Sequence, residues 1–170
     1  MLIRPRRDAD IGSCVRLAEA VQDADGYPIH VTGSLRDFLV SRDGLAAWVA
    51  ERDDTIVGHV ALHGRGADAV VSLAAARLEQ ATDRLGVVAR LFVAPDARRQ
   101  GIGRALLETA AGEAIARGLW PVLDVPPVHD AAVRLYEACG WVRAGLVTSR
   151  LGDGFATEEI VFFDPRSRPA

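Results

Sequence analysis

At 170 residues, with 49% hydrophobic residues and a net charge of −3, the chain is sized for one folded domain and is neither disordered nor strongly basic. That charge gives no overall attraction to nucleic acid or to an anionic membrane, so neither partner is expected. All 20 basic side chains are arginine, which excludes a Schiff-base lysine and a Walker lysine.

The two cysteines, Cys14 and Cys139, form no CxxC pair, so zinc and redox motifs are absent and no metal is expected. The opening stretch MLIRPRRDAD lacks the apolar core of a signal peptide, and no apolar run reaches the length of a membrane span. These features predict a soluble cytoplasmic protein with reduced thiols.

In chain order, residues 2–5 read as a short strand. Asp8 is expected to cap a helix whose apolar positions Ile11, Cys14, Val15, Ala18 and Val21 recur at three- and four-residue spacing. Gly26 and Pro28 break that helix, and Ser34 with Asp37 makes a capping-box pattern opening a second, short one. LAAWVAER and TIVGHVALH, on either side of Asp53-Asp54, read as a hairpin. The alanine- and leucine-rich ADAVVSLAAARLEQ is expected to be helical. GVVARLFVAP is a strand that stops at Pro95, and 101–117 is a helix with Gly118 as its C-cap. LWPVLDV is a strand, and HDAAVRLYEACG is a helix closed by Gly140. WVRAGLVTSRL and FATEEIVFF are strands around the turn GDG, and RSRPA reads as a frayed tail. The order β-α-α-β-β-(α)-β-α-β-α-β-β predicts a mixed-sheet α/β (α+β) domain rather than a regular doubly wound sheet.

Between the strand ending at Pro95 and the following helix lies RRQGIGR, residues 98–104. A strand running through a glycine loop into a helix N-terminus makes an anion cradle, because backbone N–H groups point outward and the helix dipole adds partial positive charge. The dinucleotide fingerprint GxGxxG fails at Leu106, and the Walker loop fails for want of lysine. An ordinary exposed turn remains the alternative for this loop taken alone.

RLFVAPDARRQGIGRALLETA resembles the acetyl-CoA pyrophosphate signature of the GNAT superfamily of N-acetyltransferases. LDVPPVHDAAVRLYEACGWV, at the right distance downstream, resembles the family's later strand and its helix ending in LYExxGF. The resemblance is specific over about residues 88–142 and looser over the first forty. It implies a GNAT-like acyl-CoA N-acyltransferase fold: a mostly antiparallel sheet with a splayed parallel strand pair, flanked by helices. It implies one domain over 1–170, with an acceptor-side half (1–63), a helical insert (64–85), an acetyl-CoA-binding core (86–140) and a C-terminal strand pair (141–164).

The same resemblance implies acetyl-CoA as co-substrate and direct attack by a primary amine on its thioester. Main-chain groups of Leu91, Phe92 and Val93 would hold the pantetheine arm. The N–H groups of Gln100, Gly101, Ile102, Gly103 and Arg104 would hold the pyrophosphate, with charge from Arg98, Arg99 and Arg104. His129 stands where many relatives carry a cofactor-contacting asparagine. His129, Ala132, Tyr136 and Cys139 lie at helical spacing on one face. Tyr136 matches the family's general acid, and a phenol of pKa about 10 can protonate a thiolate of pKa about 8.5.

The general base is not evident; Glu51, His59, Asp83, Asp124 and Glu158 are the candidates. His59 and His63 share a strand face, but their backbones stand roughly 13 Å apart, too far to ligate one ion together. Cys139 reads as a small buried side chain rather than a nucleophile, and Trp48, Trp120 and Trp141 as core residues. The acceptor is expected to be a small-molecule amine or a peptide N-terminus, and a homodimer is compatible with the family. The alternatives are an acetyl-CoA-binding module without catalysis, or an acyltransferase using a larger acyl-CoA or an oxygen acceptor.

Overall fold

A computed structural model describes residues 1–150 and 153–166 of the chain. Leu151 and Gly152, with which the GDG turn begins, and the tail from Ser167 onward lie outside the described residues. The element order is the predicted one, a mixed α/β arrangement of strands and helices. The chain divides into two compact units, Met1–Leu62 with Arg90–Ala110 and His63–Ala89 with Ala111–Ala170.

In the first unit, β1 (Leu2–Pro5) runs antiparallel to β2 (Gly44–Arg52), from Leu2↔Glu51 to Pro5↔Trp48. β2 turns into β3 (Thr55–His63) through Asp53 and Asp54, both left-handed at φ 50° and 57°. Two successive left-handed residues are what a tight hairpin needs to match strand twist. α1 (Ile11–Asp25) buries Ile11, Cys14, Leu17, Ala18 and Val21, the three-and-four periodicity of its sequence. Cys14, Leu17, Ala18 and Val21 pack with Leu39, Val49 and Phe92.

Asp8 does not cap α1. It opens a short 3-10 turn, Asp8–Asp10, and α1 follows directly with Asp10 as its N-cap residue. Asp10 is the buried acid here. Its carboxylate accepts from the Arg7 N–H at 2.7 Å and from both Arg4 terminal nitrogens at 2.7 and 3.0 Å. The Ser34–Asp37 capping box is present at the start of α2 (Leu35–Leu39). On another side of β3, a Cβ added to Gly58 would lie 2.8 Å from Leu106 Cδ1, so glycine lets α4 (Ile102–Ala116) approach the strand.

The second unit contains α3 (Asp68–Leu78), the first part of β4 (Leu85–Val93), β5 (Trp120–Val125), α5 (Asp130–Ala138), β6 (Val142–Arg150) and β7 (Ala156–Phe163). Its strands lie in the order β4-β5-β7-β6. β4 and β5 are parallel from Leu85↔Trp120 to Val87↔Val122, while β5–β7 and β6–β7 are antiparallel. β5 continues to Val125 past that register, paired on its other edge with β7 through Val125↔Ile160.

α3 falls within the stretch expected to be helical, residues 64–85. Its buried Val70, Ala74 and Ala75 pack on Leu85, Val87, Val122 and Val161. Side chains alternate across a strand, so Leu123 and Phe162 belong to the opposite face. There Tyr136 of α5 packs against Phe162, ring centroids 5.7 Å apart.

Candidate active site

The strand-to-helix loop has the backbone of an anion cradle. Arg99 (φ 60°) and Gly101 (φ 80°) are both left-handed, and Gly101 needs glycine for that reason. Alternation of this kind turns successive N–H groups to one side. The first bond inside α4 runs from the Ala105 N–H to the Gly101 carbonyl at 3.0 Å, so the helix itself leaves its first-turn N–H groups to other partners.

The arginines of the loop divide their work. The Arg98 Nη atoms donate to both carboxylate oxygens of Asp25, at 3.0 and 2.5 Å, and its Nε donates to the Val93 carbonyl at 3.2 Å. This arginine ties the loop to the end of α1 rather than presenting a bare charge. Arg99 and Arg104 are exposed. Arg52, which the sequence did not single out, donates from Nη1 to Gln100 Oε1 at 2.9 Å and brings a further cation to the loop.

In β4, Phe92 is buried in the first unit's core, whereas Leu91 and Val93 are half-buried. His59 is fully buried and stacked on Phe92 at 5.1 Å between centroids. Its Nε2 meets Arg6 Nη1 at 3.0 Å, and its Nδ1 lies 2.9 Å from the Arg90 carbonyl. Arginine can only donate, so these contacts assign a neutral imidazole with its proton on Nδ1. Both ring nitrogens are committed, which removes His59 from the candidate bases.

The other candidates separate by environment. Glu51 is held by Arg4 at 2.6 Å, and Asp83 and Glu158 are exposed. Asp124 is half-buried near the end of β5, and burial pushes its carboxyl up to about 6. Glu159, absent from the sequence-derived candidates, is 6% exposed. Burial first, then the Asp124 charge, pushes it up to about 8. The signal available in the sequence was the alternation of β7, in which Glu159 shares the face of Val161 rather than that of Phe162.

Asp124 pairs with Val161, so Asp124 and Glu159 are diagonal neighbours on the α3 face. Tyr136, 7% exposed, lies on the α5 face with Phe162 and Trp141. His129 is the N-cap residue of α5, its carbonyl accepting from the Ala132 and Val133 N–H groups at 2.9 and 3.1 Å. Ala132 is half-buried within the helix, and Cys139, buried, is the C-cap residue. The Cys14 thiol is pushed up to about 11 by burial, consistent with an inert core side chain. Among the described residues, no group of three or more His, Cys, Asp or Glu side chains could hold a metal ion. Among the same residues, no helix is long and apolar enough to cross a membrane.

The model of the acetyltransferase (GNAT) family matches residues 15–141. The chain belongs to that family. The GNAT chain is 36% identical over 103 residues to a probable N-acetyltransferase camello of Xenopus laevis, covering 60% of this chain and 41% of that protein. It is 36% identical over 114 residues to phosphinothricin N-acetyltransferase of Alcaligenes faecalis, covering 62% and 49%. The chain thus spans less than half the length of these curated relatives. The crystal structure of Arabidopsis thaliana NAA60 in complex with acetyl-CoA shares the fold, with TM-score 0.69 at 18% identity over 95% of this chain and 96% of that one.

Proposed function

We propose that the chain is an acetyl-CoA-dependent N-acetyltransferase acting by direct attack of an amine on the thioester. Asp124 serves as general base and Tyr136 as general acid. The observation that carries this reading is that, among the candidate bases, Asp124 is the half-buried carboxyl pushed up to about 6 by burial, whereas Glu51 is held by Arg4, His59 has both ring nitrogens engaged, and Asp83 and Glu158 are exposed. The amine adds to the carbonyl carbon from which the thiolate leaves, so the group that takes the amine's proton and the group that protonates the sulfur are different residues, each needing only to reach its own atom.

The loop suits the donor's pyrophosphate. It offers first-turn N–H groups of α4, a left-handed Gly101 that keeps side chains off the cradle, and exposed Arg99 and Arg104. Ile102 and Gly103 supply the first-turn N–H groups, and Gln100 is steadied by Arg52. Main-chain groups of Leu91, Phe92 and Val93 hold the pantetheine arm, with His129 and Ala132 contributing from the start of α5. Acetyl-CoA supplies an activated acyl group; the protein orients it and moves protons.

Asp124, ionised above about pH 6, takes a proton from the acceptor ammonium and leaves a neutral amine. Asp124 releases that proton to solvent, a C–N bond forms as the C–S bond breaks, and the nitrogen passes its second proton to the freed Asp124 as the amide forms. Tyr136 gives its phenolic proton to the departing thiolate and is reprotonated from solvent. The acceptor is a small amine-bearing molecule or a peptide N-terminus. The test is a panel of amines incubated with acetyl-CoA, with free thiol as the readout. Turnover on a subset of amines supports the reading, and none on any amine returns the weight to a binding module without catalysis.

A further inference from the structure

The carboxyl of Glu159 is a buried polar group that the proposed reaction does not use. The residue is 6% exposed, and its Oε2 is buried with no hydrogen-bond partner among the described residues. A buried carboxyl oxygen left unpaired is costly unless something else satisfies it.

Its surroundings point to a cation. On the α3 face, the nearest group of like chemistry is Asp124, one strand over and diagonal. The directly opposed residue on β6 is Val147, with the buried Ser149 two positions beyond it on the same face. From α3 the residues packed on this face are apolar (Val70, Ala74 and Ala75), while its charged Asp68 and Arg77 are exposed. Every arginine of this unit among the described residues is exposed, and several are engaged elsewhere: Arg134 with Asp130, Arg143 with Glu137, Arg166 with Asp164. Two carboxyls therefore share one face of adjacent strands, and no neighbouring cation among the described residues holds either one down.

We infer that Asp124 and Glu159 together form a recognition site for an acceptor carrying two ammonium groups, a diamine with a short methylene spacer. The inference rests on the proposed reaction, in which Asp124 receives the amine that reacts. Glu159 takes the second, unreacting ammonium. Diagonal positions on neighbouring antiparallel strands stand about 7–8 Å apart, a span a short diamine can bridge. Filling the site ionises Glu159: its proton passes to solvent and the second ammonium replaces it as counter-charge. Glu159 is thus a specificity-determining residue, and a matched monoamine leaves it protonated.

The test is calorimetric titration of the full chain, near neutral pH, with diaminobutane and with butylamine, each in two buffers of different ionisation heat. Wild type is expected to bind diaminobutane about tenfold tighter than butylamine, the order one charged contact supplies. Only the diamine should show a buffer-dependent heat from the released proton. Glu159→Gln is expected to bind both amines alike, without that buffer dependence, and to melt no lower than wild type. Equal affinities in wild type, no diamine binding, or an unchanged preference in Glu159→Gln overturns the inference. Should Glu159→Gln fail to fold, Glu159→Asp withdraws the carboxyl by one methylene and is expected to move the preference to diaminopentane; an unmoved preference overturns it. Binding is read without turnover, so a diamine preference with no acetyl transfer sinks the proposed reaction and spares the site.

Discussion

His59 donates from Nδ1 to the main-chain carbonyl of Arg90 at 2.9 Å, and Arg90 is left-handed at φ 55° within β4. A non-glycine residue in that region is strained and persists only where its surroundings hold it. The buried imidazole, fixed at Nε2 by Arg6, is part of that hold. His59→Ala is expected to lower stability by about 2–4 kcal/mol, since it opens a cavity and leaves the Arg90 carbonyl unsatisfied. Chemical denaturation measures the loss. A variant as stable as wild type but catalytically dead would restore His59 as a base.

The two arginines at 98 and 99 should behave differently. Arg98 and Asp25 are about one-third exposed, so their pair is screened and Arg98→Gln should cost about 0.5–1 kcal/mol of stability. Arg99→Gln should leave stability unchanged, weaken acetyl-CoA binding and flatten its dependence on salt. Comparable salt slopes in both variants would contradict the division of roles.

Gly103→Asp places a carboxylate in the first turn of α4. Such a residue is favourable for a helix start, so the fold is retained while the anion is repelled. Acetyl-CoA affinity should fall by more than about tenfold, as judged by calorimetry. An unchanged affinity in the folded variant removes the loop as the pyrophosphate site.

Tyr136→Phe keeps the ring that packs on Phe162 and removes only the hydroxyl. Turnover should drop by about 10² or more, with KM for acetyl-CoA little changed. Full activity would reduce Tyr136 to a packing residue.

The carboxyls predict opposite effects of pH on stability. Asp10, held down to about 2 first by its hydrogen bonds to Arg4, adds stability that is present above the unfolded carboxyl range and is lost as pH falls toward 2. Glu159, pushed up to about 8, is the reverse. The folded state keeps its proton longer, so this group favours folding least above pH 8 and most below about 4.5. Glu159→Gln should therefore gain in Tm relative to wild type as pH rises from 5 to 9, by roughly 2–4 °C for each kcal/mol relieved. Parallel melting curves for the two proteins across that range would refute the raised carboxyl.

The strand and helix order was legible because its signals are local: periodicity in α1, the Ser34–Asp37 box, glycines at 118 and 140. The start of α1 was misread because Asp8 and Asp10 are equivalent as sequence. What separates them is a tertiary contact, the Arg4 guanidinium that takes Asp10. The cradle was legible for the same local reason, since a strand, two glycines and a helix lie within one short stretch. The proposed base, Asp124, was one candidate among five, because its burial near the end of β5 is a tertiary property. Glu159 was missed because Glu158 and Glu159 are adjacent and identical in type, and only the register of β7 against β5, with α3 laid across one face, buries one and exposes the other. Arg52 was missed because its partner Gln100 is distant in sequence and reached only through the fold.

The most direct test of the proposed chemistry is the pH dependence of kcat/KM for wild type and Asp124→Asn with a turned-over amine. Wild type should show an acid limb near pH 6, set by the carboxyl pushed up to about 6. Asp124→Asn should lose that limb and run about 10²-fold slower on the plateau. An identical acid limb and plateau in the two proteins would contradict Asp124 as the base.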